Sequence, residues 1–256
     1  MRGLKDKRIV VAGGATGIGA ATAERLAGEG ARVLVGDINV AGAKATVERV
    51  AAAGGTAAAA EFDLSDEVSV RALFERAVAE FGGVDGVFNV GADLSPGTIG
   101  RDGDLSEMDV AVWRRTFEVN LIGYAHSCRV AIPLLLAAGG GAIVNTSSSA
   151  AFVGEPLRPA YAASKAGVNA LTRHVASRWG KEGVRCNGVS PGLVLSETGL
   201  AQMSEEFKAA VLAGTRSTRL GRPSDLAAAA AFLLSDDAEW INGQTWSIDG
   251  GGSLHD

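Results

Sequence analysis

Tyr161 and Lys165 stand four residues apart in Ala160–Trp179, a stretch whose apolar residues recur at helical spacing. On a helix that spacing puts both side chains on one face, with Cβ atoms about 5–6 Å apart. A free phenol loses its proton near pH ~10 and a free lysine near ~10.4, but an ammonium beside a phenol favours the phenolate and lowers its pKa. The pair is therefore a candidate acid or base for proton transfer near neutrality. Ser147-Ser148-Ser149 ends an apolar run just before this helix, and Asn120 lies inside the long apolar stretch Val110–Ala138 that precedes the run.

A second group points to a different task. Gly13-Gly14-Ala15-Thr16-Gly17-Ile18-Gly19 follows a short β-branched run and opens a helical pattern. In that setting glycine lets the backbone turn sharply and approach a pyrophosphate, which the free N–H groups of the helix start favour. In a chain with 35 glycines the spacing alone could be a plain connector. Asp37 changes the weighting: it ends the second apolar run, 18 residues beyond Gly19, where a carboxylate can accept hydrogen bonds from ribose hydroxyls. It would also repel a 2′-phosphate, and no Lys or Arg stands at Thr16, Ile18, Ile38 or Asn39 to offset that charge. The turn thus reads as a site for NAD in preference to NADP, although Asp37 could instead brace a turn.

The elements that must position these residues alternate along the chain. Arg8–Ala12, Arg32–Gly36, Thr56–Phe62, Gly86–Asn89, Ala142–Thr146, Val184–Val189 and Thr245–Ile248 read as buried strands, with helical patterns between them. Gly30, Gly54 and Gly82 suit helix C-caps, and Ser65 and Ser224 suit N-caps. The expectation is an α/β fold, a Rossmann-type doubly wound parallel sheet of about seven strands, forming one domain over residues 1–256. Segments 93–109 and 193–221 interrupt the rhythm after strands four and six. They fall where open α/β sheets bind ligands, so they are expected to wall a substrate site.

Composition narrows the setting. No apolar run is read as reaching the roughly 18 residues of a membrane span, and the N-terminal apolar run is too short for a signal peptide, so the chain is expected to be cytoplasmic without a membrane partner. Net charge is −5 with no basic cluster, which argues against a nucleic-acid surface. Cys128 and Cys186 read as buried thiols, and His126, His174 and His255 lack metal-ligand spacing, so no metal is expected.

Gly13-x3-Gly17-x-Gly19, Asn120, Ser148, Tyr161-x3-Lys165 and Pro191-Gly192, with the tail Asn242-Gly243-Gln244…Asp249-Gly250-Gly251, together resemble the short-chain dehydrogenase/reductase family over nearly the whole chain. The resemblance implies Tyr161 as acid/base, Lys165 as cofactor-ribose ligand and electrostatic partner, and Ser148 as holder of the substrate oxygen, with Ser147 and Ser149 as alternatives. It implies that Asn120 bends its helix and anchors a water leading from Lys165. It also implies cofactor contacts from Gly13, Gly17, Ile18 and Gly19, from Asp63 and Leu64 at the adenine, from Asn89 near the ribose, and from Pro191, Gly192 and Val194 at the nicotinamide. A homotetramer follows by the same resemblance. The chain departs from the family at Ala12, where a threonine usually braces the segment after strand four, and in that segment itself, Asn89-Val90-Gly91-Ala92. An apolar replacement for that contact is expected.

The activity expected is NAD-dependent interconversion of a secondary alcohol and a ketone on a free small molecule, running toward oxidation, with 193–221 closing the site. One alternative is a 3-oxoacyl thioester reductase acting on acyl carrier protein. Against it, Ile132–Ala142 carries no basic residue at the end of its helix to meet an acidic carrier. Another is a non-catalytic NAD-binding sensor, which would have no need of Ser148.

Overall fold

The computed structural model describes residues 1–195, 197–201 and 203–254; His255 and parts of the 193–221 segment lie outside them. Seven strands form one parallel sheet: β1 (Arg8–Ala12), β2 (Arg32–Asp37), β3 (Thr56–Glu61), β4 (Gly86–Asn89), β5 (Gly141–Thr146), β6 (Val184–Pro191) and β7 (Thr245–Ile248). Their order across the sheet is β3-β2-β1-β4-β5-β6-β7, every neighbouring pair parallel. Strand side chains alternate between faces, as β1 illustrates. Val10 and Ala12 enter the core under helices α3 (Glu67–Phe81), α5 (Gly123–Ala137) and α6 (Pro159–Trp179), whereas Ile9 and Val11 enter the core under α1 (Gly17–Gly28), α2 (Val40–Ala52) and α9 (Pro223–Leu234). With both faces covered the strands are apolar throughout, which is why they read as continuous runs. Order reverses between β1 and β4, so the connections after these two strands part to opposite faces and open a crevice at their carboxyl ends.

Several local expectations change. The stretch 110–138 is a chain of three pieces: α4 (Val110–Phe117), a π-helical turn at Glu118–Ile122 holding Asn120, and α5. Val110–Ala137 is long and apolar enough to cross a bilayer, contrary to the reading of its sequence, yet half of its most apolar window is buried within the protein. Asp66 and Arg222, one and two residues from the expected serines, cap α3 and α9; Asp66 accepts from Val68 N, a carboxylate acceptor taking the place of the hydroxyl of Ser65. Segment 193–221 contains two short helices, α7 (Glu197–Ala201) and α8 (Glu205–Ala213), and 93–109 contains a single 3₁₀ turn at Ile99–Arg101.

Candidate active site

Two adjoining cavities occupy the crevice, sharing Ala92 and Leu94 in their walls. The first, about 410 Å³, is lined by Gly13, Asp37, Asp63, Leu64 and Gly91 among others. The second, about 420 Å³, is lined by Ile18, Ser148, Tyr161, Lys165, Pro191, Gly192 and Val194 among others. A larger open cavity of about 1040 Å³ over β7 and the C-terminal segment contains none of these residues.

The turn at the start of α1 is shaped by backbone. Gly13 has φ +110, and a Cβ there would collide with the Gly91 backbone; a Cβ on Gly19 would collide with Gly13 O. Gly17 has φ +54 and faces space with no atom within 4 Å of where a Cβ would sit. The two collisions require glycine for packing, while the opening at Gly17 is the kind of close backbone approach a pyrophosphate needs. Asp37 Oδ2 accepts from Ala15 N and Oδ1 from Asn39 N, both at 2.9 Å. Asp37 therefore braces the turn and lines the cavity at once. The contact expected to become apolar at Ala12 is instead polar and backbone-made, Val90 N and Gly91 N donating to Ala12 O at 3.0 and 2.8 Å. These features fit an extended dinucleotide, with a carboxylate at one end and a proton-transfer group at the other.

At that other end Lys165 is 1% exposed, and its Nζ donates to Thr146 O at 2.8 Å. Among the described residues no anion pairs with it, and burial holds its pKa down to about 7. Its nearest support is aromatic: Nζ lies 5.0 Å from the Tyr124 ring centroid and 5.8 Å from that of Tyr161. Burial raises the Tyr161 pKa, opposed by hydrogen bonding with Ser148 and by the charge of Arg158. The phenol is thus held protonated until further positive charge arrives. Ser148 Oγ also accepts from Ala150 N at 3.3 Å, which fixes the side chain at the mouth of the cavity.

Asn89 and Asn120 stand behind these walls. Asn89 is fully buried, donating from Nδ2 to Asn145 Oδ1 at 2.8 Å and accepting at Oδ1 from Ser127 Oγ at 2.6 Å, so its side chain braces β4 against β5 and does not reach toward a ribose. Asn120 Oδ1 accepts from Asp93 N at 3.0 Å, while its buried Nδ2 has no partner.

Two residues of the site escaped the sequence reading. Asp102, buried in segment 93–109, accepts from Ala160 N at 3.2 Å and Tyr161 N at 2.7 Å, capping α6 from a distant loop. Tyr124, the chain's other tyrosine, lies under Lys165 with its hydroxyl buried beside Thr146 and without a well-aligned partner among the described residues. Its spacing of four from Asn120 was a signal within the sequence.

A family model described as Enoyl-(Acyl carrier protein) reductase matches residues 13–253. A probable short-chain type dehydrogenase/reductase of Bradyrhizobium diazoefficiens is 43% identical over 254 residues, 98% of this chain and 89% of the relative. A cis-4-hydroxycyclohexanecarboxylate dehydrogenase of Sinomonas cyclohexanicum is 41% identical over 247 residues, 96% of each chain. A solved structure of 7 alpha-hydroxysteroid dehydrogenase complexed with NADH and 7-oxo glycochenodeoxycholic acid aligns with a TM-score of 0.90 at 32% identity, over 98% of this chain and 96% of that one.

Proposed function

The chain belongs to the short-chain dehydrogenase/reductase family, and we propose that it uses NAD in preference to NADP and that Tyr161, Lys165, Ser148 and Asn120 form its proton-transfer machinery. It is an oxidoreductase with a nicotinamide cofactor, interconverting a secondary alcohol and a ketone on a free small molecule. The observation that carries this reading is the meeting of Ser148, Tyr161 and Lys165 in a cavity that adjoins the one lined by Gly13 and Asp37.

The nicotinamide supplies the hydride acceptor or donor. Gly13, Gly17, Ile18 and Gly19 would hold the pyrophosphate, Asp37 the adenosine ribose, Asp63 and Leu64 the adenine, and Pro191, Gly192 and Val194 the nicotinamide end. In oxidation the alcohol oxygen is held by Ser148 Oγ. Tyr161 first releases its phenolic proton, by way of Lys165 and water to solvent, and the phenolate oxygen then takes the alcohol proton. Lys165 as an ammonium favours the first of these steps, because a cation near the phenol stabilises the phenolate. Asn120, with Nδ2 unpaired at the π turn, supports a water-mediated path from Lys165. The carrier-protein alternative is disfavoured by the end of α5, which has no basic residue in its last turn, and by Arg178 near the end of α6, whose guanidinium is taken by Glu182 at 2.6 Å. The same reading includes a homotetramer, supported by an apolar groove with Val78, Val130 and Leu134 across α3 and α5, and checked by light scattering.

The direct test is steady-state oxidation of a panel of ring, polyol and steroid secondary alcohols, followed by absorbance of the reduced nicotinamide. Turnover with NAD at kcat/KM at least tenfold above NADP is expected. Absence of turnover across the panel, with NAD still bound, would leave the sensor reading in its place.

A further inference from the structure

Around the Tyr161 hydroxyl most of the substrate side of the cavity is apolar, built from Leu94, Ile99, Leu193, Leu195, Phe207 and Val211. Two ionised side chains face the same space. Glu155 and Arg158 line the cavity and pair at 2.5 Å, and both are close enough to be felt at the phenol, Arg158 favouring the phenolate and Glu155 opposing it.

Arg158 holds this place in an unfavourable backbone conformation. Its φ is 64 and ψ 44, the left-handed region that suits glycine and that few residues with a Cβ occupy. Arg158 N donates to Asp102 O at 3.1 Å, and the Asp102 carboxylate takes the next two helix N–H groups, those of Ala160 and Tyr161. One buried aspartate thus sets both the direction of the Arg158 side chain and the backbone of Tyr161. A glycine at 158 would make the same turn without strain. What arginine adds there is its guanidinium.

That group is planar and carries five N–H donors, matched to the two oxygens of a carboxylate. Its Nη2 donates to Glu155 Oε2, and the side chain is 48% exposed. Glu155 orients the fork and leaves further donors turned to the cavity. The available room limits what can meet it: about 420 Å³ is near the small end for ligand pockets, and Ile18, Pro191, Gly192 and Val194 lie on the cofactor's side of it. What is left fits a single ring or short chain.

Resting on the assignment of Ser148 and Tyr161 as the alcohol-binding pair, we propose that Arg158 determines specificity and that the substrate is a small hydroxy acid, a secondary alcohol on an apolar ring or short chain whose carboxylate meets the Arg158 guanidinium. Glu155 tunes this contact, since removing its charge frees the fork for the ligand.

The test pairs isosteres with and without charge. For 4-hydroxycyclohexanecarboxylate against 4-hydroxycyclohexanecarboxamide with NAD, kcat/KM is expected to favour the acid at least tenfold. Arg158→Gln brings that ratio to near one, Arg158→Lys keeps part of it, and Glu155→Gln widens it. A binding measurement separates recognition from turnover: calorimetry on the NAD complex should show cyclohexanecarboxylate binding at least tenfold tighter than cyclohexanecarboxamide, with the difference lost in Arg158→Gln. Equal binding of the two, or a loss in Arg158→Gln that is the same for acid and amide, overturns the proposal. Turnover of neutral alcohols without any preference for the acid removes the anion site and leaves the dehydrogenase reading intact. A binding preference with no alcohol turned over does the reverse.

Discussion

Two buried polar clusters are built on the same strand and helix, β5 and α6, and they are finished differently. In one, Asn145 accepts from Asn89 Nδ2 at 2.8 Å and donates to Thr172 Oγ1 at 3.0 Å, and Ser127 closes the other side of Asn89. In the other, one residue along β5 and two turns back along α6, Lys165 Nζ donates to the Thr146 carbonyl, while Thr146 Oγ1, Tyr124 Oη and Asn120 Nδ2 are buried without a well-aligned partner among the described residues. A complete set of partners is what structure requires, because a buried polar group left unpaired costs about 1–3 kcal/mol. Three of the six such groups among the described residues lie together here, the others being on Arg32, Thr116 and Ser190, and neighbouring orphans around a buried lysine suit a site shaped for something besides the chain. By this contrast the Asn89 side chain is fully engaged by the framework, whereas Asn120 keeps a buried Nδ2 open for the role proposed above.

The widest separation between the clusters should come from Tyr161→Phe. The ring stays and the proton carrier goes, so kcat should fall by at least about 100-fold while NAD affinity by calorimetry stays nearly the same. Retention of more than a tenth of wild-type kcat would remove Tyr161 from its role. Asn145→Ala should do the opposite, lowering stability in urea titrations by about 2–4 kcal/mol by orphaning Asn89 Nδ2 and opening a cavity, with kcat within a few-fold of wild type. A large loss of kcat without loss of stability would merge the two clusters into one.

Lys165→Met sharpens the comparison by sign. The folded chain holds Lys165 at about 7, whereas the ordinary value is 10.5, so between these values the unfolded chain carries the extra proton. Stability of the cofactor-free protein should therefore rise with pH across that window through this group, and be diminished below it. In Lys165→Met that rise should vanish, and stability at pH ~7 should increase by about 2 kcal/mol, the relief of charge burial outweighing the lost bond to Thr146 O. Activity should be lost as stability is gained. Identical melting curves across pH for the two proteins would show that Lys165 is not under strain. The smallest effect expected is at Asp37, which serves both structure and binding: Asp37→Ala should narrow the NAD preference in kcat/KM from at least tenfold toward parity. An unchanged ratio would leave Asp37 as a turn brace only.

The sheet, the glycine turn before α1 and the shared helix of Tyr161 and Lys165 were legible from residue order because their causes are local. Unbroken apolar runs follow from burial of both sheet faces, the Gly13–Gly19 spacing from backbone collisions at Gly13 and Gly19, and the Tyr161–Lys165 pairing from the pitch of one helix. The π turn at Glu118–Ile122 was not legible as such, since its apolar pattern continues through α5 and only the Asn120 bond to Asp93 N marks the break. Nor was the framework role of Asn89, whose partners lie 38 and 56 residues away.

By itself the sequence determined the α/β class, the strand and helix succession and the candidate acid/base pair, all of which depend on residues close together in the chain. Only the tertiary structure decided which buried polar groups are satisfied, that Asp102 reaches across 59 residues to hold the backbone of Tyr161, and that Glu155 and Arg158 line the same cavity as Ser148, Tyr161 and Lys165. Those facts depend on distant segments meeting, and on the cost of leaving a polar group without a partner once water has been excluded.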